Sequence, residues 1–321
     1  MTPAAGRICV TGGLGFIGSH LCLALAERGH QITCVDRLCG TYASGTGLEA
    51  AARIRELPGA RVIHADLSVD RLVPLVEDAA AVIHLAALPG VRAAHGSGAF
   101  FRHNALATAR LIAAIGPGQR LVLASTSSVY GDGAPLPTPE GWPPAPMSSY
   151  GVSKLAAEHA CLAAAATGLD VAIARLFTVF GPGQRSDMAF ARWIDASAAG
   201  RPIPWCARPG ARREFTFVGD AVRGLLAVLD RGRRGRVYNV PGAGSTSVKG
   251  ALALVQEAMG VGPDRVLSLA GAQESRATAA CSQRAERELG YRPRVSLQEG
   301  IRRQVAAARG SHAPEHLLAL S

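Results

Sequence analysis

Tyr150 and Lys154 stand four residues apart in Tyr150-Gly-Val-Ser-Lys154. On a helix this spacing puts both side chains on one face. An ammonium group beside a phenol stabilises the phenolate and lowers its pKa from about 10. The tyrosine can then act as a base near neutral pH. The lysine stands out, because only Lys154 and Lys249 among the 34 basic residues are lysines. Upstream, Ser125-Thr126-Ser127-Ser128-Val129-Tyr130-Gly131 follows an apolar run. If that run is a strand of a parallel sheet, its carboxyl end faces the ligand crevice. The hydroxyls can then meet the Tyr150 phenol across a bound substrate. Each pattern also has a plainer reading: two surface residues, and a polar loop that caps its own backbone.

A second constellation lies near the N-terminus. Thr11-Gly12-Gly13-Leu14-Gly15-Phe16-Ile17-Gly18 spaces Gly12, Gly15 and Gly18 three apart. The first glycine permits a tight turn, the next lets the backbone approach a pyrophosphate, and the last lets helix and strand pack closely. A diphosphate then lies on the N-terminus of the following helix, where free N–H groups and the macrodipole favour negative charge. Asp36 falls 18 residues beyond Gly18, near the spacing of the carboxylate that accepts from the adenosine ribose. It would repel a 2′-phosphate, so NAD is favoured over NADP, although Arg37 beside it weakens the argument. Asp66 is a candidate near the adenine edge. An ordinary glycine turn with a surface Asp is the plain alternative.

The elements needed to position these groups are legible. Residues 7–11, 32–36, 61–65, 81–86, 120–125 and 170–176 read as short buried strands. Helical stretches at 19–28, 47–56, 72–78, 104–115 and 150–167 separate most of them. Short apolar runs alternating with helices predict βαβ units and a parallel sheet buried on both faces. Residues 131–147 hold six prolines and read as a surface loop. Residues 181–214 read as loop-rich with one helix near 188–199. Residues 218–230 read as a helix, 236–239 as a strand, and the rest as small helices with a turn-rich, frayed tail.

Composition sets the outer limits. The 321 residues are 48% hydrophobic and 18% charged, enough apolar content for a sizeable core. No apolar run is long enough for a membrane span, and no basic stretch precedes a long apolar one at the N-terminus. The expectation is a cytoplasmic protein. Seven scattered cysteines without a CxxC argue for free thiols rather than a disulfide framework or a metal site. The net charge is +10. Residues 1–200 contribute about +1 and residues 201–321 about +9 on the same charge rule. A positive field suits an anionic ligand, nucleic acid or a membrane surface, or is simply a solvated arginine-rich surface. With aromatics at 5% and no basic run interleaved with them, a nucleic-acid platform is disfavoured.

Taken together, the sequence resembles the extended short-chain dehydrogenase/reductase family, specifically its NAD-dependent nucleotide-sugar epimerases and dehydratases. The resemblance spans nearly the whole chain. It rests on Gly12/Gly15/Gly18, Asp36, His84-Leu85-Ala86-Ala87, Asn104, the Thr126 loop and Tyr150/Lys154. It continues through Phe180-Gly181-Pro182, Arg213-Glu214-Phe215-Thr216-Phe217-Val218 and Arg284-Ala285-Glu286-Arg287-Glu288-Leu289-Gly290-Tyr291. It implies an α/β fold, a Rossmann doubly wound parallel sheet with a smaller C-terminal α/β substrate-binding lobe. Residues 1–177 would form the NAD-binding domain, with 215–240 returning to it. Residues 178–214 and 241–321 would form the nucleotide-sugar lobe.

By that resemblance NAD contacts Gly12, Gly15, Phe16, Ile17, Gly18, Asp36, Asp66, Leu67, Leu85, Ala86, Ala87, Asn104, Tyr150 and Lys154. Tyr150 is the base, Lys154 holds the nicotinamide ribose, and Thr126 bonds the substrate O4. Arg185, Arg213 and Arg276 fall where the family grips the nucleotide diphosphate, which gives the C-terminal positive charge a purpose. Pro89, Ser127, Ser128, Thr178 and Met188 complete the substrate side. A UDP-sugar substrate and a homodimer built on the Tyr150 helix are the implied partners.

The active-site loop narrows the choice. Hexose 4,6-dehydratases resemble S-T-D-E-V-Y-G and sugar-acid decarboxylases S-T-S-E-V-Y-G, whereas this chain has Ser127 and Ser128. Eliminating water across C5–C6 then lacks its proton handlers, but hydride removal and return at C4 needs none. Phe177-Thr178-Val179-Phe180-Gly181-Pro182, Arg185-Ser-Asp187-Met188-Ala189 and Ala87-Leu88-Pro89-Gly90-Val91-Arg92 are similar to UDP-glucuronate 4-epimerases. The implied reaction is UDP-glucuronate to UDP-galacturonate. UDP-glucose or UDP-N-acetylglucosamine 4-epimerisation, dehydration through an unorthodox base, and a non-catalytic NAD-sensing or RNA-binding member are the rivals. Departures from the pattern are Cys281 where relatives usually carry Asp, Gly183-Gln184 before Arg185, and Trp205-Cys206 in a segment usually rich in glycine.

Overall fold

The apolar runs pair into one parallel sheet of seven strands. The computed structural model describes residues 6–38, 46–90, 96–263, 266–268 and 275–310. The strands are β1 (Arg7–Thr11), β2 (Gln31–Asp36), β3 (Arg61–His64), β4 (Ala81–His84), β5 (Arg120–Thr126), β6 (Asp170–Leu176) and β10 (Val237–Val240). Their order is β10-β6-β5-β4-β1-β2-β3. The chain runs from β1 one way to β3 and then the other way through β4. The crevice at that reversal is where a doubly wound sheet binds its ligand.

Alternation along the strands feeds two apolar layers. Val10, Ile83 and Val122 pack with Leu21 and Leu25 of α1 (Phe16–Glu27) and Leu225 of α8 (Val218–Arg231). Cys9, Val82 and Leu123 pack on the other face with Leu111 of α5 (Ala107–Ala114) and with Ala157 and Cys161 of α6 (Ser149–Ala166). Short helices α2 (Thr46–Arg55) and α3 (Val73–Val76) complete the crossovers.

Several boundaries differ from expectation. The first helix begins at Phe16 rather than Ser19, because its cap is the extended backbone of Gly15 with no side-chain bond to signal it. The helix expected from 104 begins at Ser97, as α4 (Ser97–Phe100), and passes through a π-helical turn at Phe101–Leu106 into α5. The region read as loop-rich holds strands. With β7 (Thr178–Phe180) before it and β11 (Ser245–Ser247) beyond it, β9 (Arg212–Phe217) forms a second sheet in the order β11-β9-β7. Strands β8 (Ile203–Trp205) and β12 (Val266–Ser268) form a third. Four of these five strands are three residues long, too short to show a period, and β9 opens on two arginines. Helices α7 (Ala189–Ala198), α9 (Val248–Met259) and α10 (Leu297–Ala308) flank them. The tail beyond 310, Cys39, Val91 and Arg92 lie outside the described residues. No described helix is long and apolar enough to cross a membrane, and the six described cysteines are free thiols.

Phenylalanines hold the second sheet to its helices. Phe180 lies 5.1 Å from Phe190 of α7 and 5.8 Å from Phe217 of β9, and Phe190 lies 5.0 Å from Phe215. A Cβ on Gly300 of α10 would come 2.6 Å from the Phe180 ring, so only glycine lets that helix close over the cluster. The cluster thus fixes the strand that starts at Thr178. Phe180→Ala is expected to cost about 3–5 kcal/mol of unfolding free energy, measured by urea denaturation.

Candidate functional site

A cleft of ≈ 960 Å³ opens at the carboxyl ends of β1, β4, β5 and β6. Its floor is the turn between β1 and α1. Gly12 has φ +72°, and a Cβ there would lie 2.6 Å from the Ala86 nitrogen; a Cβ on Gly18 would lie 2.1 Å from the Gly12 oxygen. The turn can close on β4 only if both are glycine. The first N–H groups of α1 have no intrahelical acceptor and, with the helix dipole, form an anion site. Asp36 accepts from the N–H groups of Leu14 (3.1 Å) and Leu38 (2.9 Å), which pins its carboxylate in the cleft. Amide donors for a diphosphate beside a fixed acceptor for ribose hydroxyls fit a dinucleotide. Phe16, Ile17, Leu85, Ala86 and Ala87 line this part, with Asp66 and Leu67 at its outer edge. Arg37 donates to Asp66 at 3.2 Å. Burial pushes the Asp66 carboxyl up, but bonds from Ser68 and Arg37 hold it below its ordinary value.

The reacting end is built where α6 meets β5. Ser148 caps α6, its hydroxyl accepting from the Gly151 N–H at 3.1 Å. A Cβ on Gly151 would come 2.8 Å from the Ser128 oxygen, so the missing side chain lets the helix start press on the hydroxyl loop. Tyr150 therefore faces Thr126. Burial raises the Tyr150 phenol above its ordinary value, and a hydrogen bond from Thr126 and the charge of Arg185 oppose this without cancelling it. The expected lowering by Lys154 is not what the structure gives. The Lys154 amine is buried and donates to the Ala124 carbonyl at 2.6 Å, and burial lowers its pKa to about 8, with Glu158 and Cys161 opposing. Among the hydroxyls of the loop, Ser125 turns aside and donates to Glu158.

Behind the cleft wall a directed chain of hydrogen bonds joins β1 to α6. The Thr108 hydroxyl donates to the Asn104 carbonyl at 2.5 Å. His84 Nε2, 2.9 Å away, must then donate to Thr108, and its Nδ1 accepts from Thr11 at 2.7 Å. Asn104 accepts from the Leu88 N–H at 2.7 Å and donates to Ser153, whose hydroxyl donates to the Tyr150 carbonyl. Asn104, expected against the cofactor, is thus a buried strut between the π turn and α6.

At the substrate end, Pro89, Ser127, Ser128, Thr178, Met188 and Arg213 line the cleft. Arg185 lines it too, close enough to act on the Tyr150 phenol, and donates through Nε and Nη2 to Asp187 at 2.8 and 2.9 Å. Arg276 does not line it. Its side chain is 82% exposed, with Nε 3.7 Å from Asp132, while Ser275 and Thr278 reach the cleft instead. Nor does the C-terminal charge converge here as a whole: Arg233, Arg236 and Arg287 gather on Glu288. Sequence reasoning missed Arg192 and Trp193 of α7, His103 of the π turn and Phe215 of β9, all of which line the cleft. Arg192 follows Met188 by one helical turn, a usable signal; Ser275 and Thr278 lie in a segment with no period.

The NAD dependent epimerase/dehydratase family matches residues 8–241. A Bacillus subtilis (strain 168) protein described as an uncharacterized UDP-glucose epimerase, YtcB, is 34% identical over 307 residues, 94% of this chain and 97% of its own length. MoeE5, solved with UDP-glucuronic acid and NAD, is 37% identical, with a TM-score of 0.85 over 96% of this chain and 100% of that one; it is also solved with UDP-glucose and NAD. The UDP-glucuronic acid 4-epimerase of Bacillus cereus, solved with UDP-glucuronic acid and NAD, is 31% identical, with a TM-score of 0.87 over 95% of this chain and 100% of that one.

The buried strut has a pH signature. Burial, then the Lys154 charge, lowers the His84 pKa from 6.5 to about 3. The unfolded chain therefore takes up a proton below pH 6.5 that the folded chain refuses until about pH 3. This group's share of stability is intact above 6.5 and is lost as pH falls, at about 1.4 kcal/mol per pH unit. Urea denaturation at stepped pH should show that slope in the wild type and its flattening in His84→Asn.

Proposed function

The chain belongs to the NAD dependent epimerase/dehydratase family, and on that premise we propose that it interconverts UDP-glucuronate and UDP-galacturonate by reversible oxidation at C4. The observation that carries this reading is a group of neutral hydroxyls, Thr126, Ser127, Ser128 and Thr178, sharing the cleft with Tyr150 and Lys154. NAD, when bound, supplies reversible acceptance of the C4 hydride.

The chain's own residues do the rest. Tyr150 takes the proton from O4 and later returns it, with Thr126 bonding the same oxygen. Burial raises the phenol pKa, while the Thr126 hydrogen bond and the Arg185 charge favour the phenolate, as the positive charge of NAD⁺ would when bound. Arg213 holds the diphosphate. Held by that linkage, the sugar turns and presents its other face to the same hydride site. Orientation replaces a bimolecular encounter.

The hydroxyls account for the C6 carboxylate. A 4-keto uronic acid is a β-keto acid and loses CO₂ readily. Neutral donors at 127, 128 and 178 bond the carboxylate without titrating it and keep it out of the geometry that expels CO₂. An acid/base at 127 or 128, as dehydration requires, is replaced by serine. A second reading, 4-epimerisation of neutral UDP-glucose, draws support from MoeE5, which is solved with UDP-glucose as well as with UDP-glucuronic acid. A panel of UDP-glucuronate, UDP-glucose and UDP-N-acetylglucosamine separates the two.

Incubated with UDP-glucuronate and no added cofactor, the protein should yield UDP-galacturonate by NMR. Tyr150→Phe should slow this by roughly 10²–10⁴-fold, and a wild-type rate in that variant would remove the assignment. Ser127→Ala and Ser128→Ala should release CO₂ as a side product. Full CO₂ retention in both would leave the carboxylate role without support.

A further inference from the structure

Glu158 lies one turn along α6 from Lys154 and is 1% exposed. Three consecutive residues of β5 divide between the two side chains and the reacting phenol. The Ala124 carbonyl accepts from Lys154, the Ser125 hydroxyl donates to Glu158 Oε1 at 2.5 Å, and Thr126 turns to Tyr150. Arg175 of β6 closes the group, its Nε 3.0 Å from Oε1 and its Nη2 2.7 Å from Oε2. The guanidinium lies 4.7 Å over the Tyr130 ring.

A carboxylate this deep persists only where charge and donors surround it. Arg175 alone would pair it. The serine bond does something further: it ties one carboxylate oxygen to the strand that also holds the lysine amine. Residues four apart on a helix have Cβ atoms about 5–6 Å apart, and the Glu158 charge acts on the Lys154 amine where both side chains are buried.

We infer that Glu158 is a positioning residue, its carboxylate aimed by Ser125 and anchored by Arg175 so as to keep the Lys154 amine cationic and fixed on β5 beside Tyr150. The inference rests on the reading of Tyr150 and Lys154 as the reacting pair. The groups packed around the amine support it. On α6, Glu158 is the larger counterweight to burial, ahead of Cys161. From β4, His84 is neutral down to about pH 3 and brings no charge. From the π turn, Asn104 is uncharged. From β6, Arg175 faces Glu158, and in the loop after β5 Glu140 lies 3.7 Å from Arg284. Arg185 adds positive charge at the phenol. Among these described groups Glu158 is the carboxylate one helical turn from the amine.

The chain makes the test direct, because Lys154 and Lys249 are its only lysines. Holoprotein carrying ¹³C at lysine Cε gives two resonances, and Lys249→Arg assigns them. The Lys154 midpoint should fall by roughly 1 pH unit or more in Glu158→Gln. A Glu158→Met, Arg175→Met pair removes both charges at similar volume and should lower it by less, because loss of the Arg175 cation acts in the opposite sense. Ser125→Ala, which keeps every charge, should lower it by a smaller amount and decides the point if neither of the others folds. The alkaline limb of kcat should move by the same interval. An unchanged Lys154 midpoint in the folded variants would overturn the inference and leave Glu158 a packing residue. The resonance reports whether or not any sugar turns over, so failure of the proposed reaction would be seen separately.

Discussion

A charged amine held out of water between α6 and β5 is the constraint around which this cleft is organised. Lys154 has its carbonyl acceptor on the central strand, and its charge is felt by the histidine of the neighbouring strand. Burying a cation is costly unless donors, acceptors and counter-charge are arranged around it. The protein supplies the acceptor from β5 and the counter-charge from Glu158 of α6, itself paired by Arg175 of β6. The phenol one turn away and the hydroxyl loop that leads out of β5 are placed by the same helix and strand.

The two ends of the cleft are made in different ways. At the dinucleotide end, backbone does the work: glycines too close to their neighbours to carry a side chain, a helix start without a side-chain cap, and one carboxylate pinned by two amides. At the substrate end, side chains on short strands do it, and those strands are held by phenylalanines rather than by a long hydrogen-bonded ladder. That second sheet has three strands, two of them three residues long, against seven strands in the first.

How far the sequence could be read follows the same division. Tyr150 and Lys154 were legible because a helical turn is a local rule, and Asp36 because one βαβ unit fixes its distance from Gly18. The six N-terminal strands were legible because each is a continuous apolar run. What escaped was set by contacts across the fold. Asn104 became a strut because a π turn rotates it toward Ser153. Arg276 left the cleft because Asp132 holds the segment it lies on, accepting from its backbone N–H at 2.5 Å. The phenol rose instead of falling because burial outweighs its donors, and burial is not visible in a motif. Strand β9 hid behind its leading arginines.

Gly151 touches the Ser128 carbonyl with bare backbone. The space between helix and loop is thereby bounded by the Ser128 carbonyl and by Pro146 Cβ, which a Cβ at 151 would meet at 2.8 and 2.9 Å. The Ser128 hydroxyl reaches the phenol only through Thr126, which donates to it at 3.2 Å and bonds Tyr150. A scaffold arranged this way can diversify its reactions by point changes in one tripeptide, provided the atom missing from residue 151 stays missing.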